Sequence, residues 1–127
     1  MRAQSEEIPY DVAAVLVVED EALVRAMAAD ILMDAGYRTF EASDAPDALA
    51  ILEGRSDIGA VFTDIEMPGM TGLALAATIR DRWPRVSVLI TSGRLRPSAG
   101  EMPTGADFIA KPYRPDELVA ALGSMLF

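Results

Sequence analysis

The amino-acid sequence predicts a single α/β domain in which parallel strands alternate with helices. Two observations carry that prediction. Five short β-prone runs, several of them apolar on both faces as in strands covered on both sides, are interleaved with four apolar stripes at helical spacing. A third observation concerns the ends of the runs: four of the five stop at a carboxylate, a hydroxyl or a lysine.

The elements follow in order. Residues 1–11 (MRAQSEEIPYD) are polar and acidic and read as a flexible tail, with one domain expected over residues 12–127. Residues 13–18 (AAVLVV) form the first strand and stop at Glu19-Asp20-Glu21. Leu23, Met27, Ile31 and Ala35 recur at helical spacing and read as the core-facing stripe of the first helix, with Gly36 as its stop. Residues 37–42 are the second strand. Ala45, Leu49 and Leu52 mark a shorter helix, with Ser43 and Asp44 as capping candidates and Gly54 at its end. Residues 60–63 (AVFT) lead to Asp64, and Leu75, Ile79 and Trp83 form a third stripe closed by Pro84. Residues 86–90 (VSVLI) run into Thr91, and residues 107–110 (DFIA) into Lys111. Leu118, Leu122 and Leu126 make the last helix, with Pro115 suited to its first turn. Between the last two strands, residues 92–106 (SGRLRPSAGEMPTGA) contain two prolines and three glycines. Proline costs a helix about 3 kcal/mol and glycine about 1, so a loop with at most one helical turn is expected there.

Composition narrows the chemistry. The 127 residues are 51% hydrophobic and 24% charged, enough apolar material for a packed core. Eleven Lys and Arg stand against 20 Asp and Glu, a formal charge of −9, which argues against nucleic acid as a partner. The chain has no Cys and no His. Disulfides, thiolate zinc sites, cysteine nucleophiles, serine–histidine triads and a phosphohistidine of its own are therefore excluded. No signal-peptide core or membrane-spanning run is visible, so a cytoplasmic protein with no membrane contact is expected.

In a parallel α/β sheet, ligands bind beyond the carboxyl ends of the strands. Those ends carry Glu19-Asp20, Asp64, Thr91-Ser92 and Lys111, so carboxylates, a hydroxyl pair and an ammonium are expected to meet on one rim. Crowded carboxylates repel one another, and a hard cation such as Mg²⁺ relieves that repulsion. A carboxylate can also act as a nucleophile and become an acyl phosphate, with a cation and a lysine neutralising the transferring oxygens. Taken alone, Glu19-Asp20-Glu21 fits an acidic first helical turn equally well.

The segments VLVVEDE, FTDIEMPGMTG, LITSG and FIAKPY, in that order and each at a strand end, resemble the receiver domain of two-component response regulators. The resemblance implies a flavodoxin-like, doubly wound sheet of five parallel strands in the order 2-1-3-4-5, with the family's fourth helix shortened or replaced by a loop. It implies a phospho-switch rather than an enzyme, with Asp64 as phosphoacceptor. Mg²⁺ would be held by Asp20, Asp64 and the backbone carbonyl of Glu66, with Glu19 acting through water. Lys111 and Thr91 would contact the phosphoryl group, Thr91 and Phe108 would form the switch, and the Lys111–Pro112 bond would be cis. The implied donor is a sensor histidine kinase or histidine phosphotransferase, docking on the first helix and the Tyr113-Arg114-Pro115 turn. The implied output is a changed contact with a downstream protein or a place in a phosphorelay.

Because the chain stops after its last helix, a stand-alone receiver is expected. A pseudo-receiver that takes no phosphate and a small phosphatase of the haloacid dehalogenase type are the rival readings. Asp64-Ile65-Glu66 matches the paired aspartates of the latter poorly. Three departures stand out: Glu19 where the family more often has Asp, Phe108 without a tyrosine hydroxyl, and Glu66. The Glu66 charge, two residues past the acceptor, is expected to alter the lifetime of the phosphorylated state.

Overall fold

The computed structural model describes residues 14–94 and 96–127, so the predicted tail and residues 12 and 13 lie outside the described residues. The elements are β1 (Ala14–Val18), α1 (Ala22–Asp34), β2 (Arg38–Ala42), α2 (Ala45–Gly54), β3 (Ile58–Asp64), α3 (Gly72–Arg82), β4 (Ser87–Ser92), β5 (Ala106–Ala110) and α4 (Pro115–Leu126). The five strands form one parallel sheet in the order β2-β1-β3-β4-β5. Strand order reverses between β1 and β3, which opens the crevice at their carboxyl ends.

Burial explains why the strands were visible as apolar runs. All five β1 residues are buried, and six of the seven in β3 and five of the six in β4 are too, because these strands are covered on both faces. One face packs Leu16, Val61 and Ile90 against Leu52, Leu75 and Ile79 from α2 and α3. The other packs Val17, Phe62 and Leu89 against Leu32, Leu118 and Leu122 from α1 and α4. The edge strands β2 and β5 are only partly buried, and their sequences are correspondingly more polar.

The helix ends follow local chemistry. Asp44 caps α2 by accepting the Asp47 N–H at 2.9 Å, and Thr71 caps α3 by accepting the Ala74 N–H at 3.2 Å. Pro115 opens α4, where the Glu117 carboxylate accepts the Arg114 N–H at 2.8 Å. Gly36, at φ 101°, follows α1 in the left-handed conformation that stops a helix. Between β4 and β5 the described residues contain no helix. A turn closed by the Glu101 N–H to the Ser98 carbonyl at 3.0 Å is what the Gly and Pro content allows. No helix among the described residues is long and apolar enough to cross a membrane.

One expectation is corrected. Only half of the stripe Leu23, Met27, Ile31 and Ala35 meets the core: Ile31 and Ala35 pack against it, whereas Leu23 is 73% and Met27 57% exposed. The buried residues are Ala28, Ala29 and Leu32. Small side chains let the helix lie close to the sheet, so the large residues that dominate a hydropathy pattern ended up turned outward. Leu32→Ala is expected to cost about 2–5 kcal/mol and Met27→Gln less than about 0.5 kcal/mol in urea denaturation. Equal losses in the two variants would reject this assignment of faces.

Candidate functional site

Four strand ends build the rim. Glu19 and Asp20 follow β1, Asp64 closes β3, Thr91 and Ser92 close β4, and Lys111 follows β5. Register aligns Asp64 with Thr91 and Ser92 with Ala110, so the side chains meet because their strands end level with one another. Carboxylate oxygens of Glu19, Asp20 and Asp64 all lie within 4.8 Å of one another. Glu19, Asp64, Thr91 and Ser92 are buried and Asp20 is exposed.

Lys111 enters this cluster from the far side. Its Nζ sits 3.1 Å from Glu19 Oε1 and 3.2 Å from Asp64 Oδ2. Burial opposes the Lys111 ammonium, but the Glu19 hydrogen bond and the Asp64 and Glu19 charges outweigh it and raise its pKa. Burial raises Asp64 above the ordinary carboxylate value, with Lys111 opposing the rise and the Glu66 charge adding to it. Burial also raises Glu19, against the Glu21 N–H and Lys111.

Two buried oxygens at the rim have no hydrogen-bond partner among the described residues: Asp64 Oδ1 and Thr91 Oγ1. An orphaned buried oxygen is costly unless a ligand completes it. The cluster also sets three carboxylates against one ammonium. Hard oxygen donors, a charge deficit and an open acceptor together fit a divalent cation such as Mg²⁺.

The surroundings hold the acceptor in place. Gly72 opens α3 flush against the acceptor's backbone, where a side-chain carbon would come 2.0 Å from the Asp64 carbonyl oxygen. The Lys111–Pro112 bond is cis, as expected. Phe108 is partly buried, and the Arg96 guanidinium lies 5.1 Å from its ring centre. Tyr113 packs edge-on against Phe62 at 5.5 Å. The Glu66 side chain stands outside the carboxylate trio, at hydrogen-bond distance from Ser92 Oγ. Sequence reasoning grouped Ser92 with Thr91 as a hydroxyl pair and missed this contact. The available signal was an acidic residue just past β3 facing a second hydroxyl at the end of β4. Gly72 and Arg96 were missed as well, because close backbone approach and ring stacking leave no periodic trace.

A parallel sheet in this order, with an acidic rim and a lysine at the carboxyl edge, defines the flavodoxin-like class of domains equipped to handle a cation and a phosphoryl group. The family model for the response regulator receiver domain matches residues 15–123. The chain belongs to that family. It is 36% identical over 110 residues to the nitrogen assimilation regulatory protein NtrX of Azorhizobium caulinodans, covering 83% of this chain and 24% of that one. It is 34% identical over 115 residues to the aerobic respiration control protein ArcA of Escherichia coli, covering 88% of this chain and 48% of that one. The chain thus spans between about a quarter and about half the length of these curated relatives. The crystal structure of the receiver domain of NtrX from Brucella abortus superposes with a TM-score of 0.81 at 37% identity, over 88% of this chain and 97% of that one. Receiver domains are phospho-switches of two-component signalling, and phosphorylation on aspartate and Mg²⁺ binding at an acidic pocket are typical of them.

A carboxyl whose pKa is raised on folding binds its proton more tightly in the folded state. Stability is therefore gained as pH falls through the raised value and lost as pH climbs from the ordinary carboxylate range through it. The metal-free protein is expected to melt higher in mildly acidic than in neutral buffer. Asp64→Asn is expected to raise the neutral melting temperature and flatten that dependence in calorimetry with chelator present. A variant that melts lower than the parent at neutral pH would contradict the assigned charge strain.

Proposed function

We propose that this domain accepts a phosphoryl group from a partner's phosphohistidine onto Asp64, and that the modification changes which protein it contacts. The observation that carries the reading is the pair of partnerless buried oxygens, Asp64 Oδ1 and Thr91 Oγ1, beside a lysine already held on Asp64 Oδ2. A carboxylate oxygen of Asp64 attacks phosphorus as the P–N bond breaks. The phosphoimidazole, protonated on its second nitrogen, leaves as neutral imidazole. Lys111 Nζ neutralises phosphoryl oxygens, and the Thr91 hydroxyl donates to one of them. Mg²⁺, held by Asp20, Asp64 and the Glu66 carbonyl with Glu19 acting through water, would supply charge neutralisation of the transferring group.

The donor is a sensor histidine kinase or histidine phosphotransferase, because the chain carries no histidine of its own. Its docking surface is assigned to α1 and the Tyr113-Arg114-Pro115 turn. Leu23 and Met27, exposed on α1, support that assignment by offering apolar contact area. Phe108 is assigned as the aromatic that responds to Thr91, and residues 93–105 as the segment that reorders. The domain catalyses only its own phosphorylation and dephosphorylation.

Incubation with Mg²⁺ and acetyl phosphate is expected to add one phosphoryl group in intact-mass spectra, with no addition in Asp64→Asn. Lys111→Ala is expected to slow the reaction on the order of 100-fold. No mass gain with acetyl phosphate or with a phosphorylated kinase would overturn the reading in favour of a pure interaction module.

A further inference from the structure

At the amino edge of the sheet, opposite the acidic rim, the ends of α2 and α3 and the starts of β3 and β4 enclose a groove of about 1000 Å³. Its lining includes the apolar Ile58 and Trp83 and three guanidiniums, Arg55, Arg82 and Arg85, against one carboxylate, Glu53. In a chain of formal charge −9, that local excess of cations runs against the rest of the molecule. Arg55 is engaged with Asp57 at 2.8 Å. Arg82 pairs with Glu53, and its guanidinium lies 4.4 Å from the Trp83 ring centre. A guanidinium has five N–H donors, more than one carboxylate occupies. Arg85 is exposed, and its side chain has no partner among the described residues.

The complement of this groove lies in the chain's own sequence. Residues 5–11 (SEEIPYD) hold three carboxylates, Glu6, Glu7 and Asp11, around Ile8, Pro9 and Tyr10. They come shortly before β1, whose first residue, Ala14, pairs with Ile58 of β3, and Ile58 lines the groove. The chain therefore joins the sheet at the groove's edge. The eight residues 6–13, fully extended, span roughly 25 Å. We propose that residues 6–11 dock in this groove of their own chain, with carboxylates on Arg82 and Arg85 and Ile8-Pro9-Tyr10 against Trp83 and Ile58.

Covalent connection favours this occupant over a separate one. A segment tethered so closely is presented at an effective concentration on the order of millimolar, so ion pairs that are individually weak suffice to hold it. Those pairs are exposed at the groove's rim and are screened by salt, whereas the apolar contacts beneath them are not. The docking is independent of the acceptor role of Asp64, which lies at the other edge of the sheet.

Trp83 is the only tryptophan and the chain has no Cys, so the full chain can be labelled at one point and read at another. A nitroxide attached to Ser5→Cys quenches an indole that it approaches closely. Trp83 emission is expected to be quenched at low salt relative to the same protein after the nitroxide is reduced with ascorbate, to an extent unchanged by dilution. Salt at about 0.5 M, where the screening length falls to about 4 Å, is expected to restore much of the emission. Glu6→Lys combined with Glu7→Lys is expected to lower the ratio of docked to free segment about 10-fold. Adding Arg85→Glu to that pair is expected to recover part of the loss, with circular dichroism checking the fold of each variant. Emission indifferent to reduction of the nitroxide, or quenching left intact by the two lysines, would overturn the proposal. Quenching that fades on dilution would assign the segment to a second copy of the chain and overturn it as an internal contact.

Discussion

Lys111 reaches Glu19 at 3.1 Å and Asp64 at 3.2 Å, and with Asp20 beside them one ammonium serves three carboxylates. Most of what distinguishes the carboxyl edge of the sheet follows from that imbalance. Burial drives Glu19 and Asp64 toward protonation, and the same burial keeps their mutual repulsion from being screened. The arrangement survives because the core beneath it holds the strand ends level. The apolar layers on the two faces of β1, β3 and β4 supply the stability that the rim gives up. A site strained in this way is poised to gain from a divalent cation and a group that neutralises the remaining charge.

Legibility in the sequence tracked the type of interaction. Central strands could be read because double-sided burial favours apolar runs, as in Ala14–Val18 and the Val88, Leu89 and Ile90 stretch of β4. The rim could be read because charged residues at strand ends are unusual against that background. The face of α1 could not. Ala28 and Ala29 contribute little to a hydropathy pattern, yet they sit against the sheet, while Leu23 and Met27 contribute most and face outward. The link between Ser92 and Glu66 was harder to read, since it depends on how β3 and β4 pair at their ends.

The two sides of the acceptor differ in mechanical support. On the β1 side, pairing with β3 ends at Val18 and Thr63, one residue short of Asp64. On the β4 side it continues through Asp64 and Thr91, and the Ile65 N–H donates to the Thr91 carbonyl at 2.9 Å. Gly72 closes off movement toward α3. A displacement of the acceptor's backbone is therefore transmitted first into β4, whose next residue, Ser92, leads into the segment without a helix.

That segment has a consequence for how such a domain diversifies. Residues 97–105 carry none of the groups on the acidic rim and form no helix or strand, and the next strand, β5, lies at the sheet's edge. Surface connections of this kind accept insertions and deletions readily. A lineage could rewrite this stretch to recruit a different partner while inheriting the phosphoryl chemistry unchanged.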